Sequence, residues 1–309
     1  MQSRFKTEVD QRMIKIRVPA TSANMGPGFD SLGVALELYN YITAEETDSG
    51  LEIIIRDDTS KFLPQNEKNL IYRCMKEVFD RAGYAPKGLR LILENNIPVT
   101  RGLGSSSAGI VGGLYAANCL AGKPFSKDEL LGMAVKIEGH ADNVTPAMLG
   151  GFTVSVMQRD RHHYVCHRLK DDLLFGALIP DFTLATKKAR SILPGTVSHR
   201  DAAYNAGHSA LLAASLISGD YSHIRAAIGD RLHQYYRKTL IPSMDELFNI
   251  CYRHNALGVY LSGAGPTLIA IIGSENKSFH SEVSRILAQK MQNWHLEILK
   301  PDNLGVIEI

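Results

Sequence analysis

Between Pro98 and Leu114 the chain reads PVTRGLGSSSAGIVGGL, with five glycines and three serines in seventeen residues. The segment before it, LRLILENNI, alternates like a strand, and the segment after it, AGIVGGLYAANCLAG, is an apolar run of helical length. A strand, a loop stripped of side chains and a helix that opens on serines admit few chemistries. A Walker A loop needs GxxxxGK[ST], but Gly122-Lys123 is followed by Pro124 and lacks the upstream glycine. A Rossmann GxGxxG needs a glycine where Ser107 stands. Gly104-Ser105-Ser106-Ser107-Ala108 approaches GxSxG. A nucleophile elbow turns directly out of its strand, however, and here PVTRGLG intervenes with no HGGG-type loop to form an oxyanion hole. Two readings remain. In one, Gly102 and Gly104 let the backbone approach a phosphate, and the helix N-terminus and serine hydroxyls bind it or a Mg²⁺ ion. In the other, Ser105 caps the helix and the glycines serve packing. The loop by itself leaves both open.

The rest of the composition narrows the class without deciding it. A chain of 309 residues that is 45% hydrophobic and 21% charged has an ordinary globular balance and length for about two domains. A net charge of +2 gives no argument for nucleic acid or a membrane surface. Cys74, Cys119, Cys166 and Cys251 form no CxxC pair, so zinc and redox motifs find no support and a reducing cytoplasm is expected. The opening MQSRFKTEVDQRMIK has no apolar core, unlike a secretory signal, and reads as an extension ahead of the first strand. Apolar runs such as ALLAASLI are too short to span a bilayer.

Along the chain, MIKIRVPA reads as a strand ending at Pro19, followed by a shaped loop, TSANMGPGFD. LEIIIRD is a strand and NLIYRCMKEVFDRAG a helix stopped by glycine. SKDELLGMAVKI carries a capping box, Ser126 with Glu129. GFTVSVMQ and HHYVCHRL read as paired strands. From Leu173, LLFGALIPD is a buried strand, and HRDAAYNAGHSALLAASLISG and SMDELFNICYRHN are helices. LGVYLSGAGPTLIAIIG is two strands about a Gly-Ala-Gly-Pro turn, SFHSEVSRILAQKMQNW a helix, and HLEILK the last strand. The irregular alternation predicts an α+β architecture with two domains, 1–172 and 173–309, divided at the polar Lys170–Asp172.

Three separated motifs break the tie at the loop. PVTRGLGSSSAG resembles the nucleotide loop of the GHMP kinase superfamily, P-x-x-x-G-L-G-S-S-x-A, from Pro98 to Ala108. VPATSANMGPGFDSLGVAL is similar to the first family motif in its homoserine-kinase form, EGHADNVTPAMLGG to that branch's substrate loop, and LSGAGPTLIAI to the third superfamily motif. The resemblance covers the whole chain. It implies an N-terminal domain like that of ribosomal protein S5, a C-terminal ferredoxin-like domain, and transfer of the ATP γ-phosphate to the hydroxyl of L-homoserine in threonine biosynthesis. ATP and Mg²⁺ are the implied cofactors and no nucleic-acid or membrane partner is implied. A homodimer is allowed but nothing in the residues specifies one.

The resemblance also implies roles for residues. Pro98, Val99, Thr100, Arg101, Gly102, Leu103, Gly104, Ser105, Ser106, Ser107 and Ala108 would bind the nucleotide, and Ser106 and Glu138 would hold Mg²⁺. Asn24, Asp30, His140, Asn143, Thr186, Arg190 and Arg237 would bind the substrate. The chemistry of an amino acid with a side-chain hydroxyl is compatible with that set, because a guanidinium binds a carboxylate through its planar fork. Read one at a time, an arginine in a polar stretch is a solvated charge, Asn24 is turn chemistry, Asp30 caps a helix, and a histidine after Gly139 is a C-terminal cap. Asp142 and Asn143 are the candidate catalytic polar groups beside Ser106 and Glu138. An amide cannot take a proton, and a loose phosphoryl-transfer transition state asks little activation of its nucleophile, so Asp142 is expected to position rather than deprotonate. The rival readings are a mevalonate-type small-alcohol kinase and a non-catalytic ATP-binding sensor of the same fold.

Overall fold

The computed structural model describes residues 12–159 and 161–309. The polar opening expected to extend ahead of the first strand lies almost wholly outside them. Two sheets organise the molecule. The first contains β1 (Met13–Ala23), β2 (Leu32–Thr47), β3 (Gly50–Ile55), β4 (Gly88–Asn95), β5 (Phe152–Gln158) and β6 (Arg161–His167). It runs β1-β2-β4-β3, and β2 carries both neighbours at once, pairing with β5 through Leu32–Val34 and with β4 through Asn40–Thr47. β1 does not end at Pro19. Proline has no N–H for the ladder, and the strand absorbs it with a register shift between Pro19 and Ala20 before continuing to Ala23. The shift carries the chain onward to the loop that holds Asn24 and Asp30.

Helices α1 (Leu70–Ala82), α2 (Ser105–Leu120), α3 (Lys127–Glu138) and α4 (Val144–Leu149) accompany this sheet. α1 starts on the Asn69 side chain, which accepts from the Ile71 N–H, and stops at Gly83 with φ +63°. α3 has the expected capping box between Ser126 and Glu129. α2 is buried nearly all round, between the sheet and α1. A Cβ on Gly112 would stand 2.5 Å from the Ile42 side chain, and one on Gly113 would stand 2.6 Å from the Ile71 carbonyl. Those glycines let α2 sit this deep, and Leu103, just ahead of its N-terminus, accepts from Thr21 N near the end of β1.

The second sheet contains β7 (Leu173–Pro180), β8 (Gly258–Leu261), β9 (Leu268–Gly273) and β10 (Trp294–Leu299), in the order β10-β7-β9-β8 and antiparallel throughout. Numbered from β7, this is the 4-1-3-2 order of a ferredoxin-like sheet. Helices α5 (Thr186–Ser191), α6 (His199–Ser218), α7 (Ile224–Ala227), α8 (Gln234–Arg237) and α9 (Met244–Arg253) lie between β7 and β8, and α10 (Phe279–Lys290) between β9 and β10. β7 is apolar along its whole length because both faces are covered. Phe175, Ala177 and Ile179 join the core that runs on through the first sheet, with Leu212 and Leu216 of α6. Leu178 joins a second core with α9 and α10.

HLEILK, now β10, is not the last strand. The chain returns to the first sheet, where β11 (Ile307–Glu308) pairs with β1 and Pro301 bridges to Leu36. Asp302, 2% exposed, fixes this return by accepting from Leu304 N, Gly305 N and the Tyr39 hydroxyl.

Candidate active site

A cleft of about 560 Å³ opens between the two sheets, and most of the expected site residues line it. α2 contributes its first turn. Ser105 is not its cap; that position is Gly104, left-handed at φ +68°, with no side-chain hydrogen bond to the helix. The first-turn N–H groups are thus left to a ligand, with the positive end of the helix dipole behind them. The space before the helix is equally constrained. A Cβ on Gly104 would collide with Thr21 Oγ1 at 1.9 Å, and one on Gly102 with the carbonyl of Ser262 at 2.5 Å.

The C-terminal domain grips this loop. Ser262 Oγ donates to Gly102 O at 2.6 Å, Thr267 N to Arg101 O at 3.1 Å, and Leu184 N to Thr100 O at 3.2 Å. Arg101 donates back to the carbonyls of Pro180 and Asp181. Val99, Thr100, Arg101, Gly102, Gly104, Ser105, Ser106 and Ser107 border the cleft. Pro98, Leu103 and Ala108 do not. Leu103 and Ala108 are fully buried, so these parts of the motif shape the loop from the core side.

Ser106 is exposed at the helix start. Glu138, at the end of α3, is held by Ser107 Oγ donating to its Oε1 at 2.7 Å. His140 follows, its Nδ1 2.6 Å from Asp142 Oδ1 and its Nε2 3.9 Å from Glu138 Oε1. Burial alone would lower the His140 pKa, but the Asp142 bond and the two carboxylates outweigh it and raise it. Asn143 accepts from Thr21 Oγ1 at 2.8 Å through its carbonyl, leaving its NH₂ for the cleft.

At the other wall, Asp30 and Arg190 make a two-pronged pair, Nη2 to Oδ1 at 2.8 Å and Nη1 to Oδ2 at 3.2 Å. The hydrogen bond to Asp30 raises the Arg190 pKa against the effect of burial. Asn24 was expected to contact substrate. It borders the cleft, with Nδ2 donating to Gly263 O at 2.7 Å and Oδ1 accepting from Asp30 N at 2.9 Å. It sets the conformation of the loop that presents Asp30, which has φ +54°.

Arg237 is the unusual group. It is 1% exposed, and among the described residues no carboxylate lies within 4.0 Å of it. Burial, reinforced by Arg190, lowers its pKa to about 10, so it is still a cation at neutral pH. Of its five N–H bonds, Nε donates to Ala189 O, and Nη1 to Gly263 O and His233 Nδ1. Nη2 is left, and the residue borders the cleft. A two-nitrogen fork was expected here; the structure leaves one nitrogen for a ligand. The Phe29 ring lies beside both guanidinium groups, 5.7 Å from Arg190 Cζ and 5.4 Å from Arg237 Cζ. Thr186 opens α5 beside them.

One end of the cleft went unread in the sequence. Leu63, Pro64, Leu70, Ile71 and Leu93 give it apolar walls, with Asn40, Asn95 and Lys68 as polar groups. No periodicity marks them, because they come from a loop, a helix start and two strands. Their one local signal is Asn69, the α1 cap, which places Lys68 and Leu70 at the cleft mouth.

Comparison with known proteins bears on this arrangement. The family models for the GHMP kinase N-terminal and C-terminal domains match residues 69–151 and 212–293. A homoserine kinase of Clostridium botulinum (strain Eklund 17B / Type B) is 48% identical over 298 residues, covering 96% of this chain and 99% of its own. The chain belongs to the homoserine kinases of the GHMP family. A second such homoserine kinase, from Caldicellulosiruptor saccharolyticus, is 46% identical over 295 residues, covering 95% of this chain and 96% of its own. Among solved structures, the homoserine kinase from Cytophaga hutchinsonii superposes with a TM-score of 0.88 at 28% identity, covering 100% of this chain and 99% of that one. A mevalonate kinase at 16% identity and TM-score 0.70 shares the fold. Among the described residues no helix is long and apolar enough to cross a membrane.

Proposed function

We propose that the chain transfers the γ-phosphate of ATP to the side-chain hydroxyl of L-homoserine, giving O-phospho-L-homoserine for threonine synthesis. The observation that carries the substrate half is Arg237, a buried cation with no carboxylate partner and one free nitrogen at the cleft. Burying an unpaired charge is costly, so a site that retains one is built to receive an anion. Beside it, Asp30 and Arg190 form a ready-made complement to a zwitterion. The carboxylate of Asp30 takes the substrate ammonium, and Arg190 turns its fork to the substrate carboxylate together with Arg237 Nη2.

The nucleotide half rests on the uncapped N-terminus of α2. Its N–H groups receive phosphate oxygens, and the apolar end of the cleft around Leu63, Leu70 and Leu93 receives the adenine. Ser106 and Glu138 suit Mg²⁺, offering hard oxygen donors in a cleft where, among the described residues, no group of three or more His, Cys, Asp or Glu side chains is arranged to hold a metal ion by itself. So small a protein donor set suits an ion that takes much of its shell from phosphates and water. An ion held by Ser106 and Glu138 would supply charge neutralisation to the transferring phosphate.

The remaining residues orient. Asn143 donates its free NH₂ to the acceptor, and its carbonyl is fixed by Thr21. Asp142 is 2% exposed and its Oδ1 is taken by His140, which suits a carboxylate that holds an imidazole rather than one that removes a proton. The hydroxyl proton then passes to the phosphoryl oxygens as the loose transition state forms.

The substrate reading is tested with L-homoserine and 3-aminopropan-1-ol, which lacks the carboxylate. Arg190→Ala and Arg237→Ala each lower kcat/KM for homoserine by about 2–5 kcal/mol, chiefly through KM, and change little on the analogue. Lysine rescues poorly at either position, since it cannot form the fork at 190, and its three N–H groups cannot serve three protein acceptors and a ligand at 237. Equal losses on both acceptors would return the arginines to the fold or the phosphates.

A further inference from the structure

One buried ionisable residue has no part in this scheme. His233, at the cap position of α8, is fully buried. Its two ring nitrogens face groups whose chemistry leaves no choice of tautomer. Nε2 lies 2.8 Å from the carbonyl of Gly26, which only accepts, so Nε2 carries the hydrogen. Nδ1 lies 3.2 Å from Arg237 Nη1, which only donates, so Nδ1 is bare. A protonated ring would set two donors against each other at Nδ1. Burial likewise lowers the His233 pKa, with Arg237 acting in the same sense and Asp230 against it.

The surroundings hold that imidazole still. Phe29 stacks on it at 5.3 Å, the same ring that lies beside both arginines. Asp230 accepts from the N–H groups of Leu232, His233 and Gln234 and from the amide of Asn205. Asn205 in turn donates to Pro27 O at 3.0 Å. The first turn of α8 is therefore tied to the Gly26–Gly28 loop, which leads to Asp30, at the same point where His233 reaches Arg237. Tilting the guanidinium out of its plane would break the His233 bond, together with the Nη1 bond to Gly263 O, and move Nη2 from its place at the cleft.

We propose that His233 is a positioning residue for substrate selection. As a neutral Nε2–H imidazole it fixes the orientation of the Arg237 guanidinium so that Nη2 meets the α-carboxylate of the acceptor, and it sets Arg237 in register with the loop carrying Asp30. The proposal rests on the reading of Arg237 as a carboxylate ligand, and it assigns to His233 a share in preferring carboxylate-bearing acceptors that no contact with substrate would reveal.

The test compares steady-state kinetics on L-homoserine and 3-aminopropan-1-ol. His233→Phe keeps a ring against Phe29 and removes both hydrogen bonds. The expected result is a KM for homoserine raised about tenfold or more, the scale of a lost hydrogen bond to a charged group, with KM for ATP and kcat/KM for the analogue within about twofold of wild type. Two amide variants decide the matter if the phenylalanine does not fold. In His233→Asn the amide oxygen reaches the place of Nδ1 and keeps the acceptor for Arg237, whereas His233→Gln reaches the place of Nε2 and keeps only the Gly26 bond. Asparagine should outperform glutamine on homoserine while the two match on the analogue. An unchanged homoserine KM, an equal loss on both acceptors, or glutamine equal to or better than asparagine overturns the proposal. Arg237→Ala separates the two layers. If it is selective for homoserine and the His233 variants are not, this inference alone fails; if it is not selective, the carboxylate reading fails with it.

Discussion

Ser106 and Glu138 reach the cleft from two helices, one at its start and one at its end, and Ser107 joins them by donating to Glu138 Oε1. That bond gives each serine a separate task. Ser107, 1% exposed, orients the carboxylate, while Ser106 stays open to a ligand. Ser106→Ala and Glu138→Gln are each expected to lower kcat by about 10² or more, because each touches charge that develops during transfer. Homoserine binding and thermal stability should hardly move. Stopped-time product assays with calorimetric binding measure both, and a wild-type kcat in either variant would exclude that residue from the metal. At this scale residue type alone said little: Arg190 read as a solvated charge and Asp30 as a cap, and their pairing needs segments 160 residues apart. The same holds at Asn24 and Arg237, where the side chain was recognised but its bonds to Gly263, Ala189 and His233 depend on the approach of a distant segment.

The elements that carry the site are held by backbone geometry as much as by packing. Gly102, at φ +82°, passes beneath the Ser262 and Gly265 carbonyls with no room for a Cβ. Gly102→Ala is expected to strain the loop by about 1–3 kcal/mol and to push it from the β8–β9 turn. A melt should show a lowered Tm, and kcat should fall with it; wild-type values for both would mean that the loop does not depend on this approach. Local signals read several elements well. Asn69 and Gly83 bound α1, and Ser126 with Glu129 starts α3, because caps are written within a few residues. The cap of α2 stayed open between two readings, since a left-handed glycine can stand at that position without a side-chain bond. β2 escaped because its two halves face different neighbours, so that no single alternation runs through it. β11 escaped because two residues make no periodic pattern; Asp302 and the open edge of β1 place it.

In the whole molecule, the first sheet with α2 presents the glycine-serine loop, the second sheet grips that loop, and the helices between β7 and β8 bring the two arginines to the opposite wall. Periodicity yielded the α+β class but not the 4-1-3-2 order of the second sheet or the return of the tail, which are long-range pairings. The apolar end of the cleft was invisible for the same reason. The central claim is that this cleft joins ATP to an amino acid bearing a hydroxyl, and it is tested most directly by ADP release from purified protein with Mg-ATP. L-homoserine, mevalonate, galactose and no acceptor are compared at equal concentration. ADP release should depend on L-homoserine, with the other acceptors near the acceptor-free rate. Mevalonate or galactose turned over as efficiently as homoserine, or release that ignores the acceptor altogether, would contradict the account.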